Sequence, residues 1–189
     1  MRVIAGKCRS LPLKTLPGRD TRPTTDRIKE TLFNVMQNDI PQACFLDLFA
    51  GSGAIGIEAL SRGAQSCCFV DQSRKAVEVI KENLAFCRLT DQAEVYQMDA
   101  VSAVKSLANH EPFDVVFMDP PYLHDLEKEV MEALRTSSCI TEDTVIVIEA
   151  SRDTDFGWIE ESGFECFKWK TYKTNEHLFL RKKEVQNKK

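Results

Sequence analysis

Two short segments of this 189-residue chain carry groups that could do chemistry together. The first, Leu46-Asp47-Leu48-Phe49-Ala50-Gly51-Ser52-Gly53-Ala54-Ile55-Gly56, follows an apolar run and opens a helical pattern. Gly51 and Gly53 let the chain turn sharply and bring backbone N–H groups close to a ligand. Many nucleotide-type ligands use such a turn, so the glycines alone say little. Asp71, however, ends the next apolar run, where its two carboxylate oxygens can accept from ribose hydroxyls. A ligand containing adenosine is expected. The second segment is Asp119-Pro120-Pro121-Tyr122, at the end of Phe113–Met118. The exocyclic amine of a nucleobase is a poor nucleophile because its lone pair is delocalised into the ring. Acceptors on its N–H bonds favour pyramidalisation. Asp119 offers a carboxylate oxygen, Pro120 offers a carbonyl held by the fixed φ of the two prolines, and Tyr122 offers a face for stacking the base. Opposed to a sulfonium methyl donor, these four residues can present a planar base edge-on. The transfer then needs mainly alignment.

An ordinary structural role competes with each part. The glycine turn can be only a turn, Asp-Pro-Pro-Tyr only punctuation, and Asp71 only a helix cap. Their joint occurrence in this order, each at the end of a strand-like run, favours the site. Asp99 is expected to accept from the adenine amino group or to cap the following helix, and both roles can coexist. Asp47 is expected near the cationic part of the cofactor or as a support of the glycine loop. His110, His124 and His177 are isolated, and the seven cysteines include no C-x-x-C pair, so no metal site is expected and the thiols read as reduced and structural.

The elements that must position these residues read as an open α/β sheet. Strands are expected at Cys44–Leu48, Ser66–Val70, Ala93–Gln97, Phe113–Met118 and Thr144–Glu149, with helices between them. Ala54–Arg62 reads as one helix ended by Gly63, Val101–Ala108 as another. Ala76, Ile80, Leu84 and Cys87 mark the buried face of a third. In a doubly wound sheet the fourth strand lies beside the first, so the Gly51 and Asp119 loops flank one crevice. Glu165–Tyr172 and Glu176–Lys182 have no helix between them and are expected to pair as an antiparallel hairpin. The resulting division is a basic extension with a helix at 1–43, a catalytic domain at 44–183 and a tail at 184–189. The first helix is expected to be capped by Thr24 or Thr25 and to bury Ile28, Leu32, Val35 and Met36.

The net charge of −4 hides a split. Residues 1–29 carry eight Lys/Arg against two Asp, and residues 168–189 carry eight against two Glu, leaving nine basic and 25 acidic residues between them. Both ends are candidate phosphate contacts, because cations there displace counterions from a polyanion. The last eight residues read as a solvated tail. No stretch approaches the roughly 20 apolar residues of a membrane span and no signal-like run follows Met1, so a cytoplasmic protein without membrane contact is expected. Nothing in the pattern demands a partner subunit, and a monomer is expected.

Arg22-Pro23-Thr24-Thr25-Asp26-Arg27-Ile28-Lys29-Glu30-Thr31-Leu32-Phe33-Asn34, with the Leu46–Gly56 and Asp119–Tyr122 segments, resembles the RsmD family of bacterial small-subunit ribosomal RNA guanine-N2 methyltransferases. The opening Arg2–Lys7 with Arg9 is similar as well, so the likeness spans nearly the whole chain. It implies a class I S-adenosylmethionine-dependent methyltransferase fold, Rossmann-like, with a mostly parallel seven-stranded sheet. It also implies S-adenosylmethionine as donor, S-adenosylhomocysteine as product, and a guanine of 16S rRNA or of a small-subunit assembly particle as substrate. It places Asp47, Ala50, Gly51, Ser52, Gly53, Asp71, Gln72, Asp99, Ala100 and Thr24 at the cofactor, and Asp119, Pro120, Pro121 and Tyr122 at the base. Arg2, Lys7, Arg9, Arg19, Arg22, Arg27 and Asn34 would meet RNA. Tyr172-Lys173-Thr174-Asn175-Glu176 departs from the Tyr-Gly-x-Thr turn common in the family, which bears on the shape of the last hairpin. The rivals are a DNA adenine-N6 or cytosine-N4 methyltransferase, which usually carries a separate reader of base edges, a nicotinamide-dependent oxidoreductase, which leaves Asp119–Tyr122 unexplained, and a non-catalytic RNA-binding module.

Overall fold

The computed structural model describes residues 1–16, 26–121 and 126–183. Its strands are β1 (Cys44–Asp47), β2 (Ser66–Asp71), β3 (Ala93–Gln97), β4 (Phe113–Met118), β5 (Ile140–Ser151), β6 (Phe164–Thr171) and β7 (Asn175–Lys182). They form one sheet in the order β3-β2-β1-β4-β5-β7-β6. β1 to β5 are parallel, and β7 runs antiparallel to both β5 and β6. The doubly wound sheet with a terminal hairpin is therefore present, and β4 lies beside β1 as expected. Because β7 takes the place next to β5, the earlier strand β6 becomes the outer edge.

Helices α1 (Asp26–Val35), α2 (Ala54–Ser61) and α3 (Arg74–Cys87) cover one face of the sheet, and α4 (Ala100–Ser106) and α5 (Leu126–Thr136) belong to the other. Strands buried on both faces read as continuous apolar runs, which is why β1, β2 and β4 were legible. Phe45, Phe69, Phe117, Val147 and Phe179 meet the first set of helices, and Leu46, Val70, Val116, Ile148 and Leu178 meet the second. Two elements exceed the sequence expectation. β5 begins at Ile140, four residues before the apolar run, because Thr141, Glu142 and Asp143 are exposed polar residues that nonetheless adopt strand geometry. α5 has an amphipathic stripe of Val130, Met131 and Leu134 that the sequence reading passed over. The expected helix Val101–Ala108 is shorter, with α4 passing into a tight turn at Leu107–Asn109.

Residues 1–16 contain a hairpin that lies across α2 and α3. Val3 N–H donates to Leu11 O at 3.0 Å and Ser10 N–H to Val3 O at 2.8 Å, while Val3, Cys8 and Leu13 enter the first core. Gly6 is required at its bend. Its φ is +81°, and a Cβ there would lie 1.8 Å from the Ser61 carbonyl oxygen. The buried stripe of α1 is Lys29, Leu32 and Phe33, continued just past its end by Met36, whereas Ile28 and Val35 are only half-buried. The expected stripe was displaced because Lys29 is buried as part of an ion pair. Its Nζ lies 3.0 Å from Glu58 Oε2 and donates to Arg2 O at 2.6 Å. The fully buried Glu58 carboxylate also accepts from Ile4 N–H, Ala5 N–H and Arg62 Nε.

Candidate active site

The crevice at the β1/β4 switch point is built by loops leaving the C-terminal ends of both strands. After β1, Gly51 (φ +55°) and Gly53 (φ +78°) hold left-handed backbone conformations that L side chains rarely adopt, and Gly53 N–H donates to Ala50 O at 2.7 Å. A Cβ at Gly51 would meet only Phe49 O, at 4.0 Å, so the outer side of this turn is open. Gly56 answers a different need. A Cβ there would lie 2.3 Å from the Phe69 ring and 2.6 Å from Cys67 Sγ, so α2 can sit on β2 only without a side chain at this position. Gly56→Ala should lower stability by about 1–3 kcal/mol through overpacking, outweighing the roughly 1 kcal/mol that Ala gains as a helix former. Thermal melts of the two proteins decide this, and an equal or higher midpoint for the variant would contradict it.

Asp71 ends β2 and is buried. Its Oδ2 accepts from Gly51 N–H at 2.9 Å and its Oδ1 from Ser73 N–H at 2.8 Å. The carboxylate thus fastens the glycine loop to β2, and each oxygen retains a lone pair. The cap of α3 is Ser73, whose hydroxyl accepts from Ala76 N–H, so the alternative of Asp71 as that cap does not hold. Gln72 is exposed beside it, Ala50 is buried, and Ser52 is half-buried. Asp99 does cap its helix. Its Oδ1 accepts from Ser102 N–H at 2.8 Å, and these hydrogen bonds hold its carboxyl below the usual carboxylate range. Ala100, directly after it, is buried.

Asp47 is buried under the loop and accepts from Gly56 N–H at 3.1 Å. Burial, opposed by that N–H and reinforced by the charge of Asp71, pushes its carboxyl up to about 7. A carboxyl that holds its proton more tightly folded than unfolded contributes stability below the ordinary value of 3.8, and this is lost as pH rises through about 7. Asp47→Asn stays neutral and can still accept from Gly56. Its melting advantage over the parent should therefore widen between pH 4 and 7, at up to about 1.4 kcal/mol per pH unit. A difference that stays constant across this range would remove the buried-acid assignment.

On the other wall, Asp119 and Pro121 are exposed and Pro120 is buried, immediately beyond β4. Leu48 N–H donates to Phe117 O at 3.0 Å, which locks the two loop bases together. Tyr122, Thr24, Arg19 and Arg22 lie outside the described residues. Of the expected RNA contacts, Arg2, Arg9 and Asn34 line one cleft of ≈ 680 Å³ together with Arg62, Asp26 and Glu30. Arg2 is paired there with Asp26 at 2.7 Å. Arg27 is exposed on α1. Lys7 points towards the end of the sheet where the strands start, and its Nζ meets Gln92 Oε1 at 2.5 Å, just before β3.

Two groupings escaped the sequence reading. Buried Asn83 on α3 donates from Nδ2 to Ser52 O at 2.9 Å and to Lys14 O at 3.1 Å, and its Oδ1 accepts from Lys14 N–H at 2.9 Å. It joins the glycine loop to the N-terminal hairpin, and its only signal was an amide beside the apolar stripe of α3. The second lies where Asp119 leaves the sheet. Met118 pairs with Ile148, and one residue further along Glu149 pairs with His177. Glu149 accepts from Asn175 Nδ2 at 2.6 Å, and its other oxygen lies 3.0 Å from His177 Nε2. His177 Nδ1 is 3.3 Å from the Tyr172 hydroxyl. Burial and then the charge of Glu149 raise the Tyr172 hydroxyl, which keeps its proton. Asn175 Oδ1 is buried with no hydrogen-bond partner among the described residues. Away from the crevice, ligand-type atoms of Cys68 on β2, Glu94 on β3 and His110 ahead of β4 fall within 4.8 Å of one another.

A family model described as conserved hypothetical protein 95 matches residues 1–181. Ribosomal RNA small subunit methyltransferase D of Haemophilus influenzae is 37% identical over 154 residues, which are 81% of this chain and 80% of that protein. The Escherichia coli K12 protein of the same name is 36% identical over 152 residues, 79% of this chain and 74% of its own length. A solved structure from Escherichia coli superposes with a TM-score of 0.81 at 29% identity, covering 97% of this chain and 98% of that one. A hypothetical protein of Thermus thermophilus gives 0.80 at 28%, covering 95% and 98%. With the sheet order of a class I methyltransferase and a match over nearly its whole length, the chain belongs to the conserved hypothetical protein 95 family, which is the RsmD family.

Proposed function

We propose that this protein transfers a methyl group from S-adenosylmethionine to the exocyclic N2 amine of a guanine in small-subunit ribosomal RNA. The observation that carries the reading is the opposition of the Gly51–Gly53 turn and the Asp119-Pro120-Pro121 segment across adjacent strands β1 and β4, in a chain whose relatives are named as small-subunit rRNA methyltransferases. The open outer side of the turn at Gly51 and the remaining lone pairs of Asp71 fit a donor of this class. Backbone N–H groups of the turn, Asp71 and Asp99 would hold it, and the donor supplies an electrophilic methyl on a positively charged sulfur. Asp119 and the Pro120 carbonyl orient the amine lone pair towards that methyl, and the proton lost from nitrogen passes to an acceptor at this edge or to water. Tyr122 stacks on the base, which must be unpaired or flipped to enter.

Transfer of labelled methyl from S-adenosylmethionine to three substrates tests this: small-subunit particles from cells lacking the enzyme, naked small-subunit rRNA, and duplex DNA. Label recovered as N2-methylguanosine from rRNA is the expected result. Label confined to DNA would move the assignment to the DNA amino-methyltransferases, and donor binding without transfer would leave the chosen substrate wrong. No helix among the described residues is long and apolar enough to cross a membrane.

A further inference from the structure

Cations at the two ends of the chain are used differently. At the N-terminus Arg2 pairs with Asp26, Lys14 with Glu82 and Lys29 with Glu58. Those three charges hold the hairpin and α1 in place, while Arg9 and Arg27 are exposed with no carboxylate partner among the described residues. On the outer hairpin, by contrast, Lys168, Lys170 and Arg181 have no carboxylate partner among the described residues, and all three are exposed. Lys168 and Lys170 stand opposite Phe179 and His177 in the β6–β7 register, so they share the sheet face of Phe179. A register shift between Cys166 and Lys168 turns Phe167 to the same side, where it is 46% exposed and carries the Arg181 guanidinium 4.7 Å over its ring. On the other side of the strand Trp169 is 49% exposed. Its ring is fixed by a 2.9 Å hydrogen bond from Nε1 to Glu176 and an edge contact with Phe156 at 5.8 Å.

We propose that β6, the outer edge of the sheet, and its turn into β7 hold single-stranded RNA beside the target base, the strand straddling this edge with phosphates on Lys168, Lys170 and Arg181 on one face and a base reaching round to stack on Trp169 on the other. This rests on the RNA-methyltransferase reading above. Unpaired cations interleaved with rigid, half-exposed aromatics are the features that bind single strands without reading sequence. Position agrees. β6 runs towards the end of the sheet from which Asp119 emerges, three strands away in the order β4-β5-β7-β6. At about 4.8 Å per strand this is roughly 14 Å, the reach of about four stacked nucleotides at ~3.4 Å each. Lysines on an edge strand also deter edge-to-edge pairing of proteins, which accounts for the charge and not for the exposed aromatics between them.

The test is binding of a single-stranded rRNA fragment spanning the modified guanine, followed by anisotropy over a salt series, with Lys168→Gln/Lys170→Gln, Trp169→Phe, Trp169→Ala and Arg2→Ala/Arg9→Ala. The double lysine variant should bind at least tenfold more weakly, and its log–log salt slope should shrink by about 1.4 for two lost phosphates. Trp169→Phe should retain most of the affinity that Trp169→Ala loses, and Arg2→Ala/Arg9→Ala should lose less than the lysine pair. S-adenosylmethionine affinity and melting temperature should stay at parental values in the lysine variant. Unchanged RNA affinity and slope in that variant would overturn the surface while leaving the catalytic reading intact. A parent that binds the donor but not the fragment would also overturn the surface, and the catalytic reading would then be decided by methyl transfer to the small-subunit particle. Parental self-association that disappears in the variants, without any change in RNA binding, would identify the edge as a protein interface and likewise overturn the proposal.

Discussion

Asp119→Ala is expected to lower methyl transfer by at least 10²–10³-fold, the scale of losing one preorganised polar contact at a reacting centre, while donor affinity stays within a few-fold. The reason is positional. Asp119 is the first residue beyond β4 and is exposed, whereas Gly51, Asp71 and Asp99, the residues proposed to hold the donor, hang on β1, β2 and β3. Its removal therefore leaves the Asp71 tie to Gly51 and the Asp99 cap untouched. Asp119→Asn keeps one acceptor oxygen and loses the charge, so it should fall between parent and Ala variant if acceptor geometry matters, and match Ala if the negative charge alone matters. Single-turnover label transfer, paired with calorimetry of donor binding, separates the two. Near-parental turnover by Asp119→Ala, with an unchanged melt, would remove Asp119 from the chemistry.

How far the crevice was legible depended on whether a residue's role is local. The glycine turn, the end of β2 and the Asp-Pro-Pro segment each announce themselves within a few residues, and the switch-point rule then sets two of them face to face. Buried polar partners do not announce themselves. Lys29 reads as a solvated helix residue until Glu58, 29 positions later, is seen beside it. His177 reads as isolated because its partners Glu149 and Tyr172 come from another strand and from the turn. Asn83 looks like an interruption of the α3 stripe, and only the folded chain shows it holding Ser52 and Lys14 together. Charge counts are silent on pairing. The N-terminal and C-terminal ends carry similar counts, but Arg2, Lys14 and Lys29 of the first are in ion pairs. Lys7, which the family resemblance groups with the RNA contacts, projects near the strand starts. The polar start of β5 shows the complementary failure, a strand whose exposed end has no apolar pattern to reveal it.

Glu58 is the place where the fold itself is most exposed to a single change. One buried carboxylate satisfies Lys29 and Arg62, and two backbone N–H groups of the N-terminal hairpin also donate to it. Taking two charges out of water is costly, and their attraction offsets that cost only while the geometry and the extra hydrogen bonds persist. Glu58→Ala leaves the Lys29 ammonium, 1% exposed, with the Arg2 carbonyl as its remaining partner among the described residues. A loss of about 3–5 kcal/mol is expected, which for a chain of this size lowers the melting temperature by at least about 6 °C. Glu58→Gln keeps an acceptor for the Ile4 and Ala5 amides but not the charge. Adding Lys29→Met to it should then recover part of the loss, because the unpaired ammonium is gone, and the double variant should melt above Glu58→Gln alone. Hydrogen exchange locates the damage. Ile4 and Ala5 should lose protection in Glu58→Ala well beyond what global destabilisation requires, since these amides anchor the hairpin that Asn83 links to the glycine loop. If Glu58→Ala melts within about 2 °C of the parent, a third of the smallest shift expected from the lost pair, or if Lys29→Met deepens the loss in Glu58→Gln, the pair is not what ties the hairpin to α1 and α2.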